Sequence, residues 1–246
     1  MNKQLKILLR RDWLLLKQKY WKRFMIYLLL IVVVHIMWYV SSGNVSMREN
    51  IIGISQREFL NNPLYLPYTW FLFYFGVVLI LYDFVTEDLF SSFTNSIIKV
   101  DRTDFWISKM IMGIIAAAIL GCSNLTVQMM TRYMLGYKQV NGIIPVTELL
   151  QADLLNVLSM VALLAFYSFL VLSISEILAF IVCFSSVVIG FPSESMIFPM
   201  NHMMYERTSL FQGSIYCIIL SVAAIVAGSY YIKKIDLLKQ EERNGN

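Results

Sequence analysis

Residues 154–174 read LLNVLSMVALLAFYSFLVLSI. The stretch holds no charged residue and is as long as the roughly 20 residues that cross a hydrocarbon core upright. It predicts a transmembrane helix. Outward from it, five more apolar stretches predict spans at 24–40, 68–84, 106–130, 177–191 and 214–232. Those at 24–40, 68–84 and 177–191 are short for a crossing and should extend into their flanks. Composition agrees: of 246 residues, 58% are hydrophobic and 15% charged, whereas a soluble domain carries nearer a quarter charged. The expected fold is an all-α membrane protein forming a single transmembrane domain over 1–246. An amphipathic interfacial helix (1–23) precedes a six-span bundle (24–232), and a tail (233–246) follows.

In the first segment Leu5, Leu8, Leu9, Trp13, Leu16 and Tyr20 follow helical spacing, while Lys3, Lys6, Arg10 and Lys17 fall mainly on other faces. A basic amphipathic helix of this kind lies in the membrane surface. The apolar run after it is too long for a cleavable signal and offers no convincing small-x-small cleavage site; His35, Trp38 and Tyr39 close it as interfacial anchors. With six spans both termini share one side, and that side holds fifteen of the 20 Lys and Arg residues. The other side holds Arg48, Arg57, Arg132, Lys138 and Arg207. Basic residues mark the cytoplasmic side, so both termini are expected in the cytoplasm. The Asn- and Ile-rich usage suits a low-GC Gram-positive bacterium, hence a bacterial plasma membrane. Among the loops, 41–67 is long, the turn at Ser173-Ile174-Ser175-Glu176 is tight, and 192–213 is too apolar for a loop yet broken by Pro192 and Pro199. That last segment is expected to be a broken re-entrant or interfacial element packed on the outer end of the bundle, because irregular backbone at membrane depth needs protein or a wet cavity against it.

Chemistry is sparse. Cys122, Cys183 and Cys217 sit in apolar stretches with no C-x-x-C pair, which suggests neither a disulfide framework nor a zinc site. There is no phosphate-binding G-x-x-x-x-G-K-[ST], no H-E-x-x-H and no G-x-S-x-G. The net charge of +4 comes from residues beside the spans, so lipid and not nucleic acid is the expected partner of the basic groups. No catalytic residues, cofactor or metal are expected in the chain. An intramembrane enzyme would need a charged polar cluster at one depth, which the spans lack. Asn124 and Gln128, four apart, share a helix face; they either hydrogen-bond between helices or line a substrate path. The second span is rich in aromatics, from Tyr68, Trp70, Phe71, Phe73, Tyr74 and Phe75 to Tyr82. They read as an interfacial belt or, through Tyr68, Phe71 and Tyr74, as a wall for apolar cargo.

The segment 83–109 reads DFVTEDLFSSFTNSIIKVDRTDFWISK. The acids Glu87 and Asp88 precede a short amphipathic turn with Phe90 and Phe93 on one side and Ser91, Ser92 and Asn95 on the other. A cytoplasmic helix showing two phenylalanines calls for a partner groove. Arg102 and Lys109 follow. The order of Glu87, the 89–98 segment, Arg102 and Lys109 resembles the permease subunits of type-2 ABC exporters. It departs from them in having serines where a glycine often follows the acid, and Val100-Asp101 where a proline often precedes the arginine. The resemblance implies a dimer, with a second copy or a paralogue, and cytoplasmic ATPase subunits that carry ATP-Mg. Glu87, Asp88, Phe90, Phe93 and Arg102 would couple to those subunits. It also implies outward movement of a hydrophobic or amphipathic peptide or drug-like substrate, as in small permeases of peptide-toxin export and lantibiotic immunity. The alternative is a non-transporting immunity or sensor protein that binds a peptide toxin at its outer surface through 41–67 and 192–213.

Overall fold

The computed structural model describes residues 3–42, 52–61, 68–90, 101–135, 145–193 and 198–234, and among them every regular element is helical. Helix α1 (Lys3–Leu15) runs through a π-helical turn (Leu16–Tyr20) into α2 (Trp21–Ser42). The short α3 (Gln56–Asn61) precedes α4 (Tyr68–Leu81) and α5 (Thr86–Phe90). Then come α6 (Arg102–Leu135), α7 (Val146–Ser173), α8 (Glu176–Gly190), α9 (Met200–Met203) and α10 (Leu210–Lys234). Among the described residues, four helical stretches are long and apolar enough to cross a membrane: Trp70–Asp88, Arg102–Met130, Val146–Ser173 and Leu210–Lys234. Glu176–Gly190 is apolar and shorter, at 15 residues.

Several helices outrun their apolar cores. α6 has 34 residues and α7 has 28, because once a helix has nucleated each further residue adds a hydrogen bond at little cost. Polar ends therefore stay helical beyond the hydrocarbon-like stretch, and α7 begins eight residues before the expected 154. α4 does the reverse. It ends at Leu81, short of the expected 84, and the chain turns through 82–85 into α5.

α7 is the centre of the bundle, with α4, α6, α8 and α10 packed around it. Its buried residues lie on all sides, which is the pattern of an enclosed helix. The face that α10 buries is made of small residues, Gly213, Cys217, Ser221, Ala224 and Gly228, ending with Ile232. Small residues at this spacing let two backbones approach closely. At Gly228 the space is already used, since a Cβ there would enter the Trp106 ring, whose Nε1 donates to the Ile225 carbonyl at 2.8 Å. Hydroxyls in the helices close on their own backbones: Ser159 donates to Leu155 O, Ser221 to Cys217 O and Thr126 to Cys122 O, each at 2.7 Å. Such bonds satisfy a polar group where no water can. The tight turn before α8 is capped by Ser175, whose Oγ accepts from the Leu178 amide.

α1 does not stand apart as a surface helix. It packs on α6, while α2 packs on α4. Leu8, Asp12, Tyr20, Phe24, Tyr27 and Ile31 are buried along this rod. A strict four-residue repeat drifts about 40° per turn on an α-helix. The wider π turn between 16 and 20 takes up that drift and keeps one stripe facing the bundle.

Candidate functional site

The end of the bundle that carries the N-terminus gathers eight charged side chains into two neutral groups. In the first, Asp12 is fully buried on α1. It accepts from Arg11 Nη2 at 2.8 Å, from Ser108 Oγ at 2.6 Å and from Lys109 Nζ at 3.3 Å. Asp88, on α5, accepts from the same Arg11 Nη2 at 2.7 Å and lies 2.6 Å from Lys109 Nζ. Lys109 is itself fully buried, with Nζ 3.9 Å from the Phe84 ring centroid. Two cations and two anions thus join α1, α5 and α6. A buried charge is tolerated only when paired and hydrogen-bonded, and each of these has at least two partners.

The second group sits beside the first. Arg23 Nη2 donates to Asp83 Oδ2 at 2.9 Å, and Lys19 Nζ lies 3.1 Å from the same oxygen. Lys19 also pairs with Glu87, and Tyr20 Oη donates to Glu87 Oε2 at 3.1 Å. Partial burial opposes the charge on Lys19, but Glu87 and Asp83 outweigh it and hold the amine above its ordinary range. Tyr20 packs edge-on against Phe84 with centroids 5.4 Å apart. Thr86 hydrogen-bonds Glu176, the first residue of α8. The corner between α4 and α5 is therefore tied to four other helices within a few residues.

Of the residues expected to couple to an ATPase, Asp88 is buried inside the first group, and Glu87 keeps 39% of its side chain exposed at the edge of the second. Arg102 directs Nη1 to the carbonyls of Ile232 and Lys233 on α10 at 3.4 and 3.5 Å. Phe93 and most of the 89–98 segment lie outside the described residues, as do the side chains of Phe90 and Tyr68. Arg11, Asp12, Lys19, Arg23 and Asp83 were not singled out from sequence. The available signal was Asp12, the lone acid among the first 23 residues, four positions from Leu8 and from Leu16 on the apolar stripe.

Of the residues expected on a substrate path, Tyr74, Asn124 and Gln128 are buried and Phe71 is partly buried. Tyr74 stacks on Trp70 at 5.0 Å and donates its hydroxyl to Met203 Sδ. Trp70 Nε1 donates to Asn156 Oδ1 at 3.3 Å. Phe71 stacks on Phe75 at 4.9 Å and meets Phe184 of α8 edge-on at 5.5 Å. The aromatic run of α4 thus turns rings onto α7 and α8. Asn124 and Gln128 are both buried on α6.

The opposite end is closed differently. Arg207 Nε donates to Ile54 O at 3.2 Å, and its Nη1 donates to Asn201 Oδ1 at 2.9 Å and to Phe191 O at 3.1 Å. Burial pulls the guanidinium down to about 10. The Glu206 amide donates to Ile52 O at 3.0 Å, and Gly53, at φ 91, lies under Met204. Met203 and Met204 are buried, so the part of 192–213 that is described does pack on the bundle end.

In comparisons with known proteins, no family model, no curated protein and no solved structure matches the chain.

Proposed function

We propose that the chain is the membrane-spanning permease subunit of an ATP-driven exporter. It moves a hydrophobic or amphipathic peptide or drug-like substrate outward, with hydrolysis in a separate ATPase. In this reading α2 and α8 join the four stretches named above to make six spans, and both termini are cytoplasmic. α8, at about 22 Å, is shorter than the hydrocarbon core and crosses by local thinning or with help from the turn after it. The observation that supports the reading best is the mechanical position of α5. It follows the second span directly, and its first residues are bound to α1 and α6 through Asp88, to the π turn through Glu87 and to α8 through Thr86. A force applied by a cytoplasmic partner at α5 would reach three helices at once. The likeness of the 83–109 segment to type-2 ABC permeases supports the same reading.

The test is a mild-detergent pull-down of the tagged chain from its native membrane, with ATPase activity assayed in the eluate. A co-eluting nucleotide-binding protein with vanadate-sensitive turnover is expected, and Phe90→Asp with Phe93→Asp should abolish it. A chain that stays without ATPase in native membranes as well as in detergent, yet protects cells from an added peptide toxin, would replace transport with the immunity reading.

A further inference from the structure

A cleft of about 470 Å³ opens between the π turn, α4 and α6. Val77, Ile119 and Leu120 form part of its apolar wall, and the exposed Trp13, Lys17 and Trp21 also line it. Its direction follows from the helices. On the N-terminal rod the lining runs from Trp13, next to Asp12 of the charged level, to Phe24, and on α6 it covers the turn from Ala116 to Leu120, beyond Lys109. On α4, Val77 lies six residues before Asp83, again away from the charged level. The cleft therefore runs from the charged end toward the middle of the bundle, along the helices and not across them.

Lys17 is the charged residue that lines the cleft, and charge along the rod that bears it is unbalanced. Arg11, Lys19 and Arg23 are consumed by the two neutral groups. Lys3, Lys6, Arg10, Lys17 and Lys22 are exposed and make no ion pair among the described residues. The single acid of this segment, Asp12, is buried. Arg10, Trp13, Lys17 and Trp21 follow three-and-four spacing and share a face. Indoles flanking a basic side chain are the pattern of the membrane–water boundary.

We propose that this cleft holds an acyl chain of an anionic phospholipid, with the headgroup phosphate against Lys17. The orientation favours a lipid over an amphipathic peptide, which would lie across the helices at the surface. Unpaired cations select an anionic headgroup, and the depth suits a chain that descends from it. The proposal stands apart from the exporter reading, since its readout involves neither ATPase nor cargo.

The experiment uses the full chain reconstituted in phosphatidylcholine vesicles that contain a minor share of acyl-brominated lipid, and reads tryptophan quenching. Brominated phosphatidylglycerol is expected to quench with about fivefold higher apparent affinity than brominated phosphatidylcholine, the preference one surface lysine supplies. In a Trp38→Phe background, Trp13→Phe with Trp21→Phe should remove that quenched component, because the two remaining indoles, Trp70 and Trp106, are buried. Lys17→Glu should erase the preference without shifting the thermal unfolding midpoint. Equal quenching by the two lipids would overturn the proposal, as would a preference that survives Lys17→Glu. Indoles shielded from both lipids in a self-associated protein would put a second copy in the cleft and also overturn it.

Discussion

At the end that carries the N-terminus, α1, α2, α5 and α6 are joined side chain to side chain, through Arg11, Asp12, Lys19, Arg23, Asp83, Glu87, Asp88 and Lys109. At the opposite end, the guanidinium of Arg207 gathers the backbone carbonyls of Ile54 and Phe191 and the side chain of Asn201. The two ends solve different problems. Regular helices have spent their backbone groups, so only side chains can link them. Broken backbone, such as 52–55 and 204–209, leaves carbonyls that need donors. Charge pairs can exchange partners while each group stays neutral, and Arg11 and Lys109 already share both Asp12 and Asp88. Arg207 is held by backbone carbonyls, Gly190 O at 3.4 Å among them, and by the Asn201 side chain, with no acidic partner among the described residues. The charged end thus has alternative pairings open to it, which is the property the proposed exporter would use if a partner acts on α5.

The largest effect should come from Lys109→Met. It removes the fully buried cation and leaves Asp12 and Asp88 against a single arginine. Breaking a buried pair by deleting one partner costs about 3–5 kcal/mol. A large fall in the thermal unfolding midpoint in detergent is expected. Asp12→Asn, added to Lys109→Met, should recover part of it, because the remaining Arg11–Asp88 pair is neutral again. A double variant no more stable than Lys109→Met alone would show that the group is not held by charge balance.

Arg207→Met tests the other side of the contrast. Hydrogen bonds from a charged donor are worth more than neutral ones, and their loss here leaves buried carbonyls unpaired, at about 2–3 kcal/mol. The midpoint should fall less than for Lys109→Met. Because the damage is local, limited proteolysis should strike 198–209 before the rest of the chain. Uniform cleavage would mean that Arg207 holds more than its own end.

How far the sequence anticipated these two ends depends on what each is made of. The apolar runs at 106–130, 154–174 and 214–232 announced their helices, since an uncharged stretch of that length has few other uses. Their ends were less legible, because Glu148 or Asp104 does not stop a helix and apolarity was the signal in hand. The early end of α4 turns on Asp83, whose partners Lys19 and Arg23 lie some 60 positions away in the chain. The aromatics at 68–82 could not be sorted from sequence into lipid-facing and inward ones: with nearly every position apolar, periodicity carries no information. Arg207 read as a loop cation because its partners are carbonyls, which every residue has. Asp12 alone broke the pattern around it.

The smallest effect should come from Lys19→Met, and it separates the two neutral groups at the charged end. Lys19 keeps about a third of its side chain exposed (35%), and its partner Glu87 keeps 39%. Solvent screens such a pair, so its contribution to stability is under about 1 kcal/mol. Asp83 retains Arg23, and Glu87 retains the Tyr20 hydroxyl. The unfolding midpoint should hardly move. If Glu87 nevertheless serves as the contact through which a partner drives α5, freeing it from Lys19 should change stimulated ATPase turnover in the assembled complex while stability stays the same. A midpoint shift as large as that of Lys109→Met would mean that the two groups form a single buried network, and that Glu87 is held inside the fold with no freedom to meet a partner.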